Sequence, residues 1–151
     1  ASSLISHSGP GNYHDHGIYW SRALGGVHDI LVDGLTVNGL GLGTDLDSAI
    51  HWDHSEPGNP NAWNVTVRNM HVTGTEIAVI VWDGTVLNIV VEDSTITGAV
   101  RGAVRYENGN YAPGKILTLR RVTSTGSGMY GFYSSLGNTP PGVTFEASSL
   151  R

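Results

Sequence analysis

The chain reads as an all-β solenoid, and three observations lead there. A ten-residue pattern recurs at Ile30-Leu-Val-Asp-Gly-Leu-Thr-Val-Asn-Gly39, from Val65 to Gly74, from Ile89 to Gly98 and from Leu117 to Gly126, with a further copy from Val143 to Leu150. A shorter pattern interleaves with it: Gly17-Ile-Tyr-Trp20, Ala49-Ile-His-Trp52, Val79-Ile-Val-Trp82, Ala103-Val-Arg-Tyr106 and Gly131-Phe-Tyr-Ser134. No stretch carries the apolar stripe of a helix. Segments rich in Val, Ile, Thr and aromatics are instead punctuated by Gly, Asn, Asp or Pro.

Each repeat holds three short strands. In the first, Ile18, Ile50, Ile80, Val104 and Phe132 share the inward register, which turns Tyr19, His51, Val81, Arg105 and Tyr133 outward. Two residues further on stand Ser21, Asp53, Asp83, Glu107 and Ser135. Trp20, Trp52, Trp82 and Tyr106 form another row, read as an aromatic stack in the core. In the second strand, Ile30/Val32, Val65/Val67, Ile89/Val91, Leu117/Leu119 and Val143/Phe145 face inward. A sharp bend follows at Gly34, Asn69 and Asp93, residue types that tolerate a left-handed backbone; Arg121 and Ala147 depart from that rule. The third strand presents Thr36, His71, Thr95 and Thr123 outward and closes on a glycine. Closing glycines lie 35, 24 and 28 residues apart, so the strands are regular and the loops are not.

Composition bounds the rest. The 151 residues form one domain, 1–151, of about five coils. At roughly 4.8 Å per coil that is a rod about 24 Å long. Eight basic against thirteen acidic residues leave a formal charge of −5, which removes the electrostatic drive for nucleic acid. The longest apolar run, Ile77 to Trp82, is six residues and spans no membrane. Without cysteine there is neither a disulfide scaffold nor a thiolate zinc site. Ile5-Ser-His-Ser-Gly9 reads like the tail of a repeat, and the chain stops at Arg151 in mid-coil. Because solenoids need polar caps, the expectation is a segment of a longer β-helix, or one whose end coils are covered by other chains, as in a homo-oligomer.

The Gly-Ile-Tyr-Trp and Ile-x-Val-x-Asp/Asn-x-x-Ile-x-Gly segments resemble right-handed parallel β-helix proteins of the pectate-lyase-like superfamily, over about residues 4 to 150. The opening His14-Asp-His-Gly-Ile-Tyr-Trp20 is similar to coils of secreted polysaccharide-active proteins and phage tail proteins. The resemblance implies a single-stranded right-handed β-helix. It also implies an extracellular, secreted or virion-surface setting, with a polysaccharide or cell-surface glycan as partner. Activity stays open, since such folds serve lyases, epimerases, glycosidases and noncatalytic modules of phage tails or spikes.

The chemically loaded face is the outward row of the first strands: His51, Asp53, Asp83, Arg105 and Glu107, framed by Tyr19 and Tyr133. The longest loops leave this strand, from Asp53 to Ala62 and from Glu107 to Gly114. Beside them Trp63 and Tyr111 would stack on sugar rings. A uronate lyase or epimerase needs a cation, a base and an acid. Arg105 would neutralise the substrate carboxylate, His51 or Tyr19 would take the proton, and Tyr19 or Tyr133 would return one. A glycosidase needs two carboxyls roughly 5–5.5 Å apart for retention, a distance that suits Asp53 with Asp83 or Asp83 with Glu107 on adjacent coils. The same row also reads as the polar exterior of any β-helix, with Arg105 pairing Asp83 or Glu107.

No cofactor is expected, with Ca²⁺ as the alternative. His14 and His16, with His51 or His54, are candidate metal ligands that lack a fixed third partner. Asp45, Asp47, Asp53 and Glu56 are an oxygen set for Ca²⁺ without calcium-loop spacing. His7, His28 and His71 stand alone, and Asn64-Val-Thr66 is a formal glycosylation sequon at a strand start.

Overall fold

A computed structural model of the chain describes residues 3–6, 16–20, 27–39, 47–52, 62–82, 86–107, 117–135 and 142–151. These residues form strands and no helix. In chain order they are β1 (Ser3–Ser6), β2 (His16–Trp20), β3 (Val27–Asp33), β4 (Leu35–Asn38), β5 (Ser48–Trp52), β6 (Ala62–Arg68), β7 (His71–Thr73) and β8 (Ile77–Trp82). There follow β9 (Val86–Thr97), β10 (Gly102–Glu107), β11 (Leu117–Thr125), β12 (Tyr130–Ser134), β13 (Val143–Glu146) and β14 (Ser149–Leu150).

Among the described residues every strand pairing is parallel. A nine-stranded sheet runs β1-β4-β7-β9-β11-β13, with β6 beside β9, β3 beside β6 and β14 beside β11; a five-stranded sheet runs β2-β5-β8-β10-β12. The strands stack as a β-solenoid of about three turns, and the five coils expected from the repeats are not confirmed.

In the larger sheet the alternation read from the sequence holds. Ile30, Val65, Ile89, Leu117 and Val143 pair in one row, and Val32, Val67, Val91, Leu119 and Phe145 in the next. The central members of both rows are fully buried, each contributing roughly 1.5–3 kcal/mol of apolar burial. Phe145 is the exception. It is 40% exposed on β13, the last strand of this sheet among the described residues, and meets Phe132 edge-on at 5.1 Å. Thr36, His71, Thr95 and Thr123 form the expected outer row, and the His71 imidazole meets the Thr95 hydroxyl at 2.8 Å.

The bend is a column of left-handed residues. Gly34, Asn69 and Asp93 have φ of 75°, 54° and 49°, and Arg121 and Ala147 join them at 51° and 49° despite their residue types. A second column, at Asp29, Asn64 and Asn88, opens the strands of this sheet with φ of 55°, 53° and 54°. Its side chains form a ladder: Asn64 Nδ2 donates to Asp29 Oδ1 at 3.0 Å and Asn88 Nδ2 to Asn64 Oδ1 at 2.8 Å. The closing glycines 39, 74, 98 and 126 make the third column, and the N–H of each of the first three donates to a carbonyl on the next strand.

Beside the bend, Asp33, Arg68, Glu92, Arg120 and Glu146 stand in one register, alternating in sign. Arg68 reaches Asp33 at 2.7 Å, and Arg120 reaches Glu146 at 2.6 Å and Glu92 at 3.1 Å. In the adjacent row Arg121 holds Asp93 with two bonds of 2.6 and 2.7 Å.

The smaller sheet departs from the sequence expectation at β8. Ile18, Ile50, Val104 and Phe132 do share one register, but their partner is Val79 rather than Ile80. Ile80, rather than Val81, therefore stands in the row of Tyr19, His51, Arg105 and Tyr133. Val81, rather than Trp82, joins the row of Trp20, Trp52 and Tyr106. The cause is a corner one residue shorter: Ile77 enters its strand three residues after Gly74, whereas Gly102 and Tyr130 enter four after Gly98 and Gly126. Within the aromatic row, Trp52 and Tyr106 are buried in the core, as expected, and Trp20 stacks on Trp52 at 4.8 Å.

Candidate functional site

Alternation in β2, β5, β8, β10 and β12 sets Tyr19, His51, Ile80, Arg105 and Tyr133 side by side. Ile80 divides the row. It is fully buried yet stands outside the main core cluster, so the middle of this row is closed to solvent.

On one side of Ile80 lies a histidine cluster. His16 Nδ1 meets the Ser48 hydroxyl at 2.9 Å, and His16 Nε2 faces His51 Nδ1 at 3.4 Å. Tyr19 stacks on His16 at 4.9 Å and meets His51 edge-on at 5.2 Å. One nitrogen of the His16–His51 contact must donate and the other accept, so a proton on each would set two donors face to face. His51 is 2% exposed while Tyr19 is 45% exposed, so Tyr19 is the group here that a polymer would touch.

On the other side lies an open pocket of about 410 Å³, lined by Arg101, Arg105, Met129, Tyr130 and Tyr133. Arg105 binds Glu107 Oε1 through Nε at 2.7 Å and through a second, shorter contact from Nη2. Its guanidinium also sits 5.8 Å from the Tyr133 ring centroid. Arg101 Nε donates to Glu76 Oε1 at 2.6 Å. Tyr130 and Tyr133 present tilted rings at 5.3 Å. Tyr130 packs onto its strand partner Gly102, where a methyl group would overlap the ring. Burial raises the Tyr130 phenol above its ordinary value, against the nearby positive charges, and keeps it protonated.

The sequence-predicted residues thus separate into two clusters. Arg105, Glu107 and Tyr133 come together; His51 and Tyr19 join His16 on the far side of Ile80. Asp53, Asp83, Tyr111 and His14 lie outside the described residues, as do His54, Asp45 and Glu56. Trp63 lies on the larger sheet, stacked on His28 at 4.5 Å, away from the pocket. His28 is itself bonded to Asp29 at 2.8 Å; that bond, and then the Asn64 amide, holds the Asp29 carboxyl below its usual range. A glycan on Asn64 would disrupt its bond to Asp29.

Among the described residues no group of three or more His, Asp or Glu is placed to hold a metal. Asp47, from the oxygen set considered for Ca²⁺, is fully buried. Arg101, Glu76, Met129 and Tyr130 are site residues that the repeat pattern does not single out. They occupy corners and strand starts, where alternation says nothing about direction.

Comparison with family models, with curated proteins and with solved structures returns no match.

Proposed function

We propose that the chain is a carbohydrate-recognising module of a right-handed parallel β-helix, built from five coils of three strands, which holds a glycan at β10 and β12. The observation that carries this reading is the open pocket where Tyr130, Tyr133 and Met129 offer apolar faces beside two fixed guanidinium groups. Sugar rings stack their C–H faces on aromatic rings while their hydroxyls take hydrogen bonds from such groups. The partner in this reading is a polysaccharide or cell-surface glycan met outside the cell or at a virion surface. Recognition is favoured over cleavage because Glu107 is held by Arg105 and His51 is closed to solvent. The test is calorimetric titration with a panel of oligosaccharides: binding that Tyr133→Ala abolishes supports the reading, and no binding across the panel overturns it.

A second reading, a noncatalytic structural module of a larger assembly, is favoured by Phe145, an apolar ring left 40% exposed on β13. Light scattering after size separation tests it, since a concentration-independent monomer contradicts self-assembly.

A further inference from the structure

We infer that this pocket selects an uncharged sugar over a uronate, an inference that rests on the glycan-recognising reading and narrows it. Two arginines beside two tyrosines invite the opposite conclusion, a carboxylate-binding site. The partners of the arginines decide against it. Each guanidinium already carries a carboxylate, Arg101 that of Glu76 and Arg105 that of Glu107. The side chains of Glu76 and Glu107 are 9% and 15% exposed, so neither pair is a loose surface contact.

Among the described residues the formal charge of the two pairs therefore sums to zero, with Tyr130 protonated and Ile80 closing the row towards the histidines. A uronate entering with both pairs intact would make the site net negative, on a chain that already carries −5. A uronate that took an arginine for itself would strand a largely buried glutamate beside its own carboxylate, an arrangement that opposes binding.

A neutral sugar meets no such conflict. Arg–Glu pairs set donors and acceptors side by side, the arrangement that adjacent sugar hydroxyls need, and the ion pair holds both side chains in place before the ligand arrives. The tilted tyrosines and Met129, a residue 75% exposed, supply the apolar surface.

The experiment titrates the whole chain with neutral and uronate oligosaccharides of equal length, each at low and high salt. Neutral oligomers are expected to bind with affinity that changes less than about twofold with salt, and uronates to bind about tenfold more weakly or worse. Glu107→Gln, checked for folding by circular dichroism, takes that carboxylate's charge away from Arg105 and is expected to raise uronate affinity several-fold. Tighter binding of uronates, weakening steeply with salt, overturns the inference while glycan recognition stands. An unchanged uronate affinity in folded Glu107→Gln overturns it too. Failure of both oligomer classes to bind removes the underlying reading as well.

Discussion

The larger and smaller sheets of this solenoid solve the same problem with different side chains. On the larger sheet two of the polar columns bond along the stack, one through amides and carboxylates and one through alternating charge. Asp29, Asn64 and Asn88 bond in sequence, and Asp33, Arg68, Glu92, Arg120 and Glu146 alternate. On the smaller sheet the outward row reads Tyr19, His51, Ile80, Arg105, Tyr133, with no residue repeated between neighbours. A column that only held strands together would favour like or complementary neighbours throughout. The difference separates a face that sets the stacking from a face free to carry a site.

This division is open to direct attack, beginning where the largest effect is expected. Leu119→Ala empties a fully buried position of the larger sheet and is expected to lower stability by about 2–5 kcal/mol in urea unfolding. Phe145→Ala, at the exposed end of the same row, should lose much less; equal losses would contradict the burial gradient.

The bend column comes next. Asn69→Val forces a β-branched residue into a left-handed backbone and should be less stable than Asn69→Gly by about 1–2 kcal/mol. Both variants lack the Asn69–Asp33 bond, so their difference reports the backbone alone.

The smaller sheet should behave in the reverse way. Tyr133→Ala is expected to leave stability within about 1 kcal/mol of the parent while abolishing oligosaccharide binding. Gly102→Ala displaces the Tyr130 ring and should weaken binding about tenfold with circular dichroism unchanged. A large stability loss in Tyr133→Ala would make its row part of the structural ladder.

The smallest effect concerns acid. The hydrogen bonds from Arg68 and Arg121 hold the Asp33 and Asp93 carboxyls below the ordinary aspartate value of 3.8. A depressed carboxyl contributes stability that is present above 3.8 and is lost as pH falls through the folded-state value. Melting temperature should therefore drop below about pH 4, and Asp93→Asn should flatten that drop; an unaltered acid profile in the variant would remove Asp93 from the ladder's electrostatics.

Much of the larger sheet is legible in the sequence because its alternation is clean. Gly34, Asn69 and Asp93 announce the bend by residue type, whereas Arg121 and Ala147 adopt it because the parallel ladder aligns every strand with its neighbour. The column at Asp29, Asn64 and Asn88 carries the same residue signature, one residue before an inward position. The register of β8 is not legible: Ile77 to Val81 is apolar at every position, so a one-residue slip costs nothing in pattern while exchanging the faces. Arg105, Glu107 and Tyr133 are legible as neighbours because their strands alternate. Arg101, Tyr130 and Met129 are not, because a corner's shape is set by pairing across strands.

That shortened corner after Gly74 bears on how such a surface diversifies. Removing one residue there leaves an apolar strand equally able to fill the interior, yet exchanges which side chains take the outward register. Single-residue insertions and deletions at the corners are thus a means of redrawing one rung of the exterior at a time, without a point mutation in any strand.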